Sequence, residues 1–210
     1  MLKFGFELEM FCLNEASEPI LVPAGLPYDE CGWLVEVRSE PHTDILKAVH
    51  LFKAEIERIQ VQGKEKAVTL VCVPLMKIPR ELKVQAARLH TKGLLKFQNI
   101  YGHETHKARS DFGTASIHVS FTNEAKYNYT CGSSCKKCKH VDTRSFTYQG
   151  FIDHAKYISA LDRAFKDEIC KAKRNPGFYE IKPDGRIEYR SLPNDIDLNK
   201  LTAVLQEITK

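Results

Sequence analysis

The sequence predicts an α+β fold built on a mainly antiparallel sheet, and three observations lead there. Several short stretches alternate apolar and polar residues with the two-residue period of a strand. A few longer ones carry apolar residues at helical spacing, and the two kinds do not succeed one another in a regular βαβ rhythm. Near the end, Pro183-Asp184-Gly185 separates two alternating runs, which is hairpin chemistry.

From the N-terminus, KFGFELEMF is a strand. Phe4, Phe6, Leu8 and Met10 share one side, and Gly5, Glu7, Glu9 and Phe11 the other. SEPILVPAGLPYDECG holds three prolines and two glycines and reads mostly as loop. WLVEVRS alternates again, with Trp33, Val35 and Val37 opposite Leu34, Glu36 and Arg38. PHTDILKAVHLFKAEIERIQ places Ile45, Val49, Phe52, Ile56 and Ile59 on one helical stripe, with Thr43 as the expected N-cap. AVTLVCVPLM reads as one buried strand, and RELKVQAARLHTKGLLKFQNI as a helix weakened by Gly93.

TASIHVSFT sets Ser116, His118 and Ser120 against Ile117, Val119 and Phe121. Residues 123–149 are polar and cysteine-rich, and read as an inserted loop. FIDHAKYISALDRAFKDEICKAK is predicted as one amphipathic helix with Phe151, Ile158, Leu161, Phe165 and Ile169 inward. GFYEIKPDGRIEYRSL is the hairpin, whose second strand puts Arg186, Glu188 and Arg190 on one face and Ile187 and Tyr189 on the other. Asp197 caps a last helix carrying Leu198, Leu201, Leu205 and Ile208. No repeat or long linker divides the chain, so one domain spanning 1–210 is the simplest organisation.

The bulk properties set limits. A net charge of +4 on 210 residues is mildly basic and does not by itself imply nucleic acid. No apolar run approaches the roughly 20 residues that span a bilayer, so a soluble, cytoplasmic protein without membrane partners is expected. Seven cysteines cannot all pair. Cys131, Cys135, Cys138 and His140 supply four soft ligands within ten residues, a candidate structural zinc site; the other reading is a lysine-rich loop with reduced thiols.

The polar strand faces carry the functional signal. Each alone is compatible with a sheet face turned to water. Carboxylates are poor strand formers, however. One sheet made of these strands gathers Glu7, Glu9, Glu36, Glu188, His118, Arg38, Arg186 and Arg190 on one surface. Crowded carboxylates repel unless a divalent cation sits among them. Oxygen ligands with one imidazole suit Mg²⁺ or Mn²⁺, and neighbouring arginines suit phosphate. Metal with phosphate is the equipment of phosphoryl transfer from ATP.

The order GFELE, VEVRSEP, GTASIHVSF, RIEYRSLPN resembles the carboxylate–amine ligases of the glutamine synthetase and glutamate–cysteine ligase superfamily. It is most similar to the small amidoligase-like branch, many of whose members occur in bacteria and phages. The resemblance covers most of the chain outside the cysteine-rich insert, and R-x-E-x-R at Arg186, Glu188 and Arg190 is its strongest element.

The resemblance implies a curved antiparallel sheet with helices packed on one face, like the catalytic domain of glutamine synthetase. It implies that Glu7, His118 and Glu188 hold one Mg²⁺ or Mn²⁺ between the nucleotide phosphates, and that Glu9 and Glu36 hold a second, with Glu40 a candidate third ligand. Arg186 and Arg190 would meet the γ-phosphate or the incoming carboxylate; Arg109, shortly before the His118 strand, could reach phosphate too. The implied reaction joins a small-molecule or peptide carboxylate to an amine through an acyl phosphate, consuming ATP. Where the family often has H-x-H, this chain has Ser116-Ile117-His118.

Two other readings stand beside it. A phosphotransferase of guanidino-kinase type keeps the fold and changes the acceptor; R-x-E-x-R after G-x-E-x-E favours the ligase. A zinc-stabilised nucleic-acid or protein binding module explains the cysteine cluster but not carboxylates on three separate strands, which repel phosphate in the absence of metal.

Overall fold

The computed structural model describes residues 2–29, 31–89, 98–102, 112–130, 143–149, 152–182 and 185–210. The strands are β1 (Leu2–Leu13), β2 (Leu34–Arg38), β3 (Thr69–Val71), β4 (Leu75–Lys77), β5 (Gln98–Asn99), β6 (Phe112–Thr114), β7 (Ser116–Thr130), β8 (Thr143–Gln149), β9 (Phe178–Ile181) and β10 (Ile187–Pro193). The helices are α1 (Ile45–Glu65), α2 (Arg80–Leu89), α3 (His154–Ala164), α4 (Lys166–Lys171) and α5 (Leu198–Ile208). The fold is mixed α+β with a mainly antiparallel sheet, as the patterning predicts. No helix among the described residues is long and apolar enough to cross a membrane.

The main sheet runs β2-β1-β7-β10-β9-β5, with β3 added to β1 and β8 to β7. Alternation in β1 places Phe4, Phe6, Leu8 and Met10 in a core shared with Val35, Val37, Ile117, Val119, Phe121, Ile187 and Tyr189 of the neighbouring strands. Helices α1, α3, α4 and α5 close that face through Phe52, Ile59, Ile158, Leu161, Ile169, Leu201 and Leu205. Phe6 stacks on Phe52 with ring centroids 5.4 Å apart, and Phe121 meets Phe4 edge-on at 5.7 Å. A smaller cluster lies on the opposite side of β1, where Phe11, Leu13, Leu34 and Ala115 pack with Ile78 and Leu82. Leu82 belongs to α2, so the helices do not all occupy one face.

Local chemistry explains where the elements end. Helix α1 is capped by Asp44 rather than the expected Thr43: Asp44 has extended backbone, and its carboxylate accepts from Lys47 N. Asp197 caps α5 as read from the sequence, accepting from Asn199 N. AVTLVCVPLM is not one buried strand. Pro74 has no N–H to continue a ladder, so β3 joins β1 while β4 pairs with β6 in a separate two-stranded sheet.

The single helix expected from residue 151 to 173 is two. Phe165 stands between α3 and α4 at φ −114°, ψ 23°, its ring buried and Lys200 Nζ 4.5 Å above it. Residues 123–130 and 143–149 are not loop: they continue β7 and form β8, paired from Glu124↔Gln149 to Thr130↔Thr143.

Candidate functional site

Antiparallel register assembles the site. Across β2, β1 and β7, Arg38 pairs with Glu7 and Glu7 with His118. One row along, Gly5 pairs with Ser120 and Ser120 with Glu188 of β10, which pairs in turn with Glu180 of β9. Glu9 lies opposite Glu36. These side chains share the face of the sheet opposite α1 and α3–α5, and apart from Arg38 at its edge that face is not turned to water. Glu7, Glu9, Glu36, Ser116, His118 and Ser120 are buried, and Glu188 is 0% exposed.

Glu7, His118 and Glu188 each bring one ligand atom within 4.8 Å of the others. Nδ1 of His118 lies 3.3 Å from Glu7 Oε2 and 3.5 Å from Glu188 Oε1. Burial first, and then the nearby Arg190 charge, hold the His118 pKa well below the usual imidazole range, so the ring is neutral at pH 7. Neutral imidazole is the metal-binding form. On the other side of the ring, Nε2 is 2.8 Å from Ser116 Oγ, and Ser116 donates both its N–H and its hydroxyl to Glu9 Oε2, each at 2.7 Å. Ser116 thus links His118 to Glu9.

Glu188 has lopsided surroundings. Its Oε1 is paired with Arg190 and with Lys182 Nζ at 3.1 Å. Its Oε2 is buried and has no hydrogen-bond partner among the described residues. The adjacent Ser120 Oγ is likewise buried and unpartnered among them. Glu180 binds the same two cations, Lys182 at 3.0 Å and Arg190 at 3.3 Å. A buried carboxylate oxygen left bare is costly unless a cation completes it. The donor set, two carboxylates and a neutral imidazole, fits Mg²⁺ or Mn²⁺.

Glu9 and Glu36 form the second acidic pair. Burial, and next the charge of Asp29, raise Glu9 above the usual carboxylate range. Burial pushes Glu36 up to about 7 against the pull of its bonded partner Arg38. Asp29, not Glu40, is the third carboxylate whose charge bears on both. Glu40 is exposed beyond the end of β2 and does not join the buried group.

A β-bulge shapes the other end of the site. Tyr189 pairs with Val119 and Leu192 with Ile117, so Arg190 and Ser191 together oppose His118 alone. The carbonyls freed there are collected by Arg174, which donates Nε to Ser191 O at 3.1 Å and Nη2 to Arg190 O at 2.7 Å, with Nη1 reaching Ala115 O at 3.3 Å. Arg174 is launched from the end of α4 through Lys173, which takes left-handed backbone at φ 54°, and Arg174 N closes back on Ile169 O at 3.0 Å. Asn194 Nδ2 then ties the end of β10 to Glu9 O at 2.8 Å.

The register thus brings together Glu7, His118, Glu188 and Arg190 as the sequence predicts, with Glu9 and Glu36 beside them. Arg186 is half-buried immediately before β10, and its carbonyl accepts from Lys182 N at 2.9 Å. Arg109, Cys131, Cys135, Cys138 and His140 lie outside the described residues. Sequence reading missed Glu180, Lys182, Arg174 and Asp29. Glu180 pairs with Glu188, and the alternation on either side of Pro-Asp-Gly in the sequence carried that signal. Arg174 acts only because of the bulge, and Asp29 sits in a loop with no period. No protein-family model, curated protein or solved structure matches the chain.

Proposed function

We propose that the chain is an ATP- and Mg²⁺-dependent carboxylate–amine ligase of the glutamine synthetase-like kind, forming an amide or isopeptide bond. The observation that carries this reading is the buried Glu7–His118–Glu188 group, with Glu188 Oε2 bare and Arg190 and Lys182 at its rim. Glu7, His118 and Glu188 would hold the divalent ion, which when bound supplies charge to neutralise phosphate oxygens that otherwise repel an attacking carboxylate.

The chain's own residues do the rest. Ser116, whose hydroxyl proton goes to Glu9, accepts from His118 Nε2, which orients the ring and leaves Nδ1 facing the two carboxylates. Arg190 and Lys182 offer cationic donors where a γ-phosphate or substrate carboxylate would arrive. The substrate carboxylate attacks the γ-phosphorus, releasing ADP and forming an acyl phosphate; the amine nitrogen then attacks the acyl carbon and phosphate leaves. Burial of the acidic face keeps water from the acyl phosphate.

The test is turnover with ATP, Mg²⁺ and pooled acids and amines. ADP and phosphate are expected only when acid and amine are both present, and Glu7→Gln and Glu188→Gln each abolish release while keeping native circular dichroism. ADP formed with a guanidine alone would instead identify a phosphotransferase. Full activity in both glutamine variants would dismiss the metal assignment.

A further inference from the structure

Beside the acidic face, at the free edge of β2, lies a groove of about 610 Å³ between the 25–28 turn and α1. The turn is fixed along the edge by the Tyr28↔Val35 bridge and by Glu36 N donating to Pro27 O at 3.3 Å. Glu36 and Arg38 line one side and Glu55, Arg58 and Gln62 of α1 the other, with Tyr28 beside them.

The groove adjoins the acidic group through Glu36 and Arg38. Arg38 Nε is bonded to Glu36 and lies 3.6 Å from Glu7 Oε1, with the Arg38 side chain 68% exposed. A ligand in the groove therefore lies against Arg38, the side chain that links Glu36 to Glu7.

The lining defines the ligand's chemistry. Charges come as two pairs of opposite sign, Glu36 with Arg38 and Glu55 with Arg58, the second at 2.6 and 2.8 Å. A purely anionic or purely cationic ligand would be repelled by one member of each pair, whereas a ligand bearing both signs can exchange with both. Tyr28, 56% exposed, adds a flat apolar surface with a polar tip. The volume is in the range of drug-sized ligands, well above what a single amino acid fills.

We propose that this groove seats a short peptide carrying both charge signs and delivers one of its termini or side chains to the acidic hollow as a ligase substrate. The delivery rests on the ligase reading; the binding does not.

The experiment therefore measures binding without ATP or metal. The full chain is mixed with an equimolar pool of unmodified tetrapeptides and, separately, with the common free amino acids, and saturation-transfer NMR reads which are bound. The strongest tetrapeptide is then titrated calorimetrically against wild type, Arg58→Ala, Tyr28→Ala and an Arg163→Ala control on α3. The expected result is saturation in the tetrapeptide pool but not among free amino acids, with each groove variant weakening the titrated peptide roughly tenfold and the control leaving it unchanged. Thermal unfolding of the variants verifies that each is folded; both groove side chains project from the surface. No bound tetrapeptide, equal saturation by free amino acids, or affinity indifferent to Arg58 and Tyr28 overturns the proposal. Peptide binding without ADP release from any acid–amine pair leaves the groove standing and removes the ligase reading. ADP release by a protein that binds no tetrapeptide does the reverse.

Discussion

Arg174→Met is the perturbation that tests the architecture behind the site. The guanidinium collects three carbonyls, those of Ala115, Arg190 and Ser191, at 2.7 to 3.3 Å. Arg190 and Ser191 are the bulge residues of the β7–β10 ladder, and Ala115 immediately precedes β7. Leaving a buried acceptor unsatisfied costs about 1–3 kcal/mol. Three at the lower figure sum to about 3 kcal/mol, and relief of the guanidinium's own desolvation offsets part of it. Methionine fills most of the volume, so little cavity cost is added. The expected loss is about 2–4 kcal/mol, which for a urea slope near 2 kcal/mol/M lowers the unfolding midpoint by about 1–2 M. Arg174→Lys, with one ammonium for three acceptors, should fall between. Urea unfolding at constant slope is the assay. A midpoint shift in Arg174→Met worth under about 0.5 kcal/mol would refute the reasoning, since it would mean that the bulge carbonyls do not depend on this side chain.

Further predictions concern titration, packing and metal. Because burial raises Glu36 to about 7, the folded protein holds a proton that the unfolded chain has already released between the ordinary carboxylate range and pH 7. Metal-free wild type should therefore lose stability, relative to Glu36→Gln, as pH rises from about 5 to about 7; parallel stability–pH curves for the two proteins would contradict it. Asp162 receives hydrogen bonds from Tyr189 and Tyr101 hydroxyls and from Gly177 N, fastening α3 to the back of β10. Asp162→Ala, which strands the buried Tyr189 hydroxyl, should cost about 2–4 kcal/mol in denaturant unfolding, and Asp162→Asn less. Zinc measured on protein purified without chelator should approach one equivalent if Cys131, Cys135, Cys138 and His140 bind it, and should disappear in a Cys135→Ser, Cys138→Ser double variant.

Much of this molecule could be read from alternation. The two-residue period in β1, β2, β7 and β10 predicted which side chains leave the core, and neighbouring strands then had to align them. Glu7 beside His118, and Glu188 one row along from Arg38, follow from that. What alternation could not supply was register shift and depth. The extra residue in β10 has no compositional mark, and without it Arg174 reads as one more basic residue after a helix. The same is true of burial. An acidic strand face ordinarily meets water, and nothing in Glu7 or Glu188 themselves says that they are buried. Pro74 was visible, but its effect, sending β3 and β4 to different sheets, depends on partners far along the chain. At Phe165 the apolar stripe continues unbroken while the backbone does not, so periodicity alone joined two helices into one.

The surplus residue at Arg190–Ser191 divides β10 into halves of opposite loyalty. Before it, the even-numbered Glu188 and Arg190 look toward the carboxylates; after it, the even-numbered Leu192 is buried among the helices. Were the same residues paired without the bulge, everything downstream would turn inside out, setting a leucine among acids, while the upstream half kept its bearing. The bulge thus absorbs one residue and keeps both ends of the strand in phase, Glu188 with the acids and Leu192 with the core.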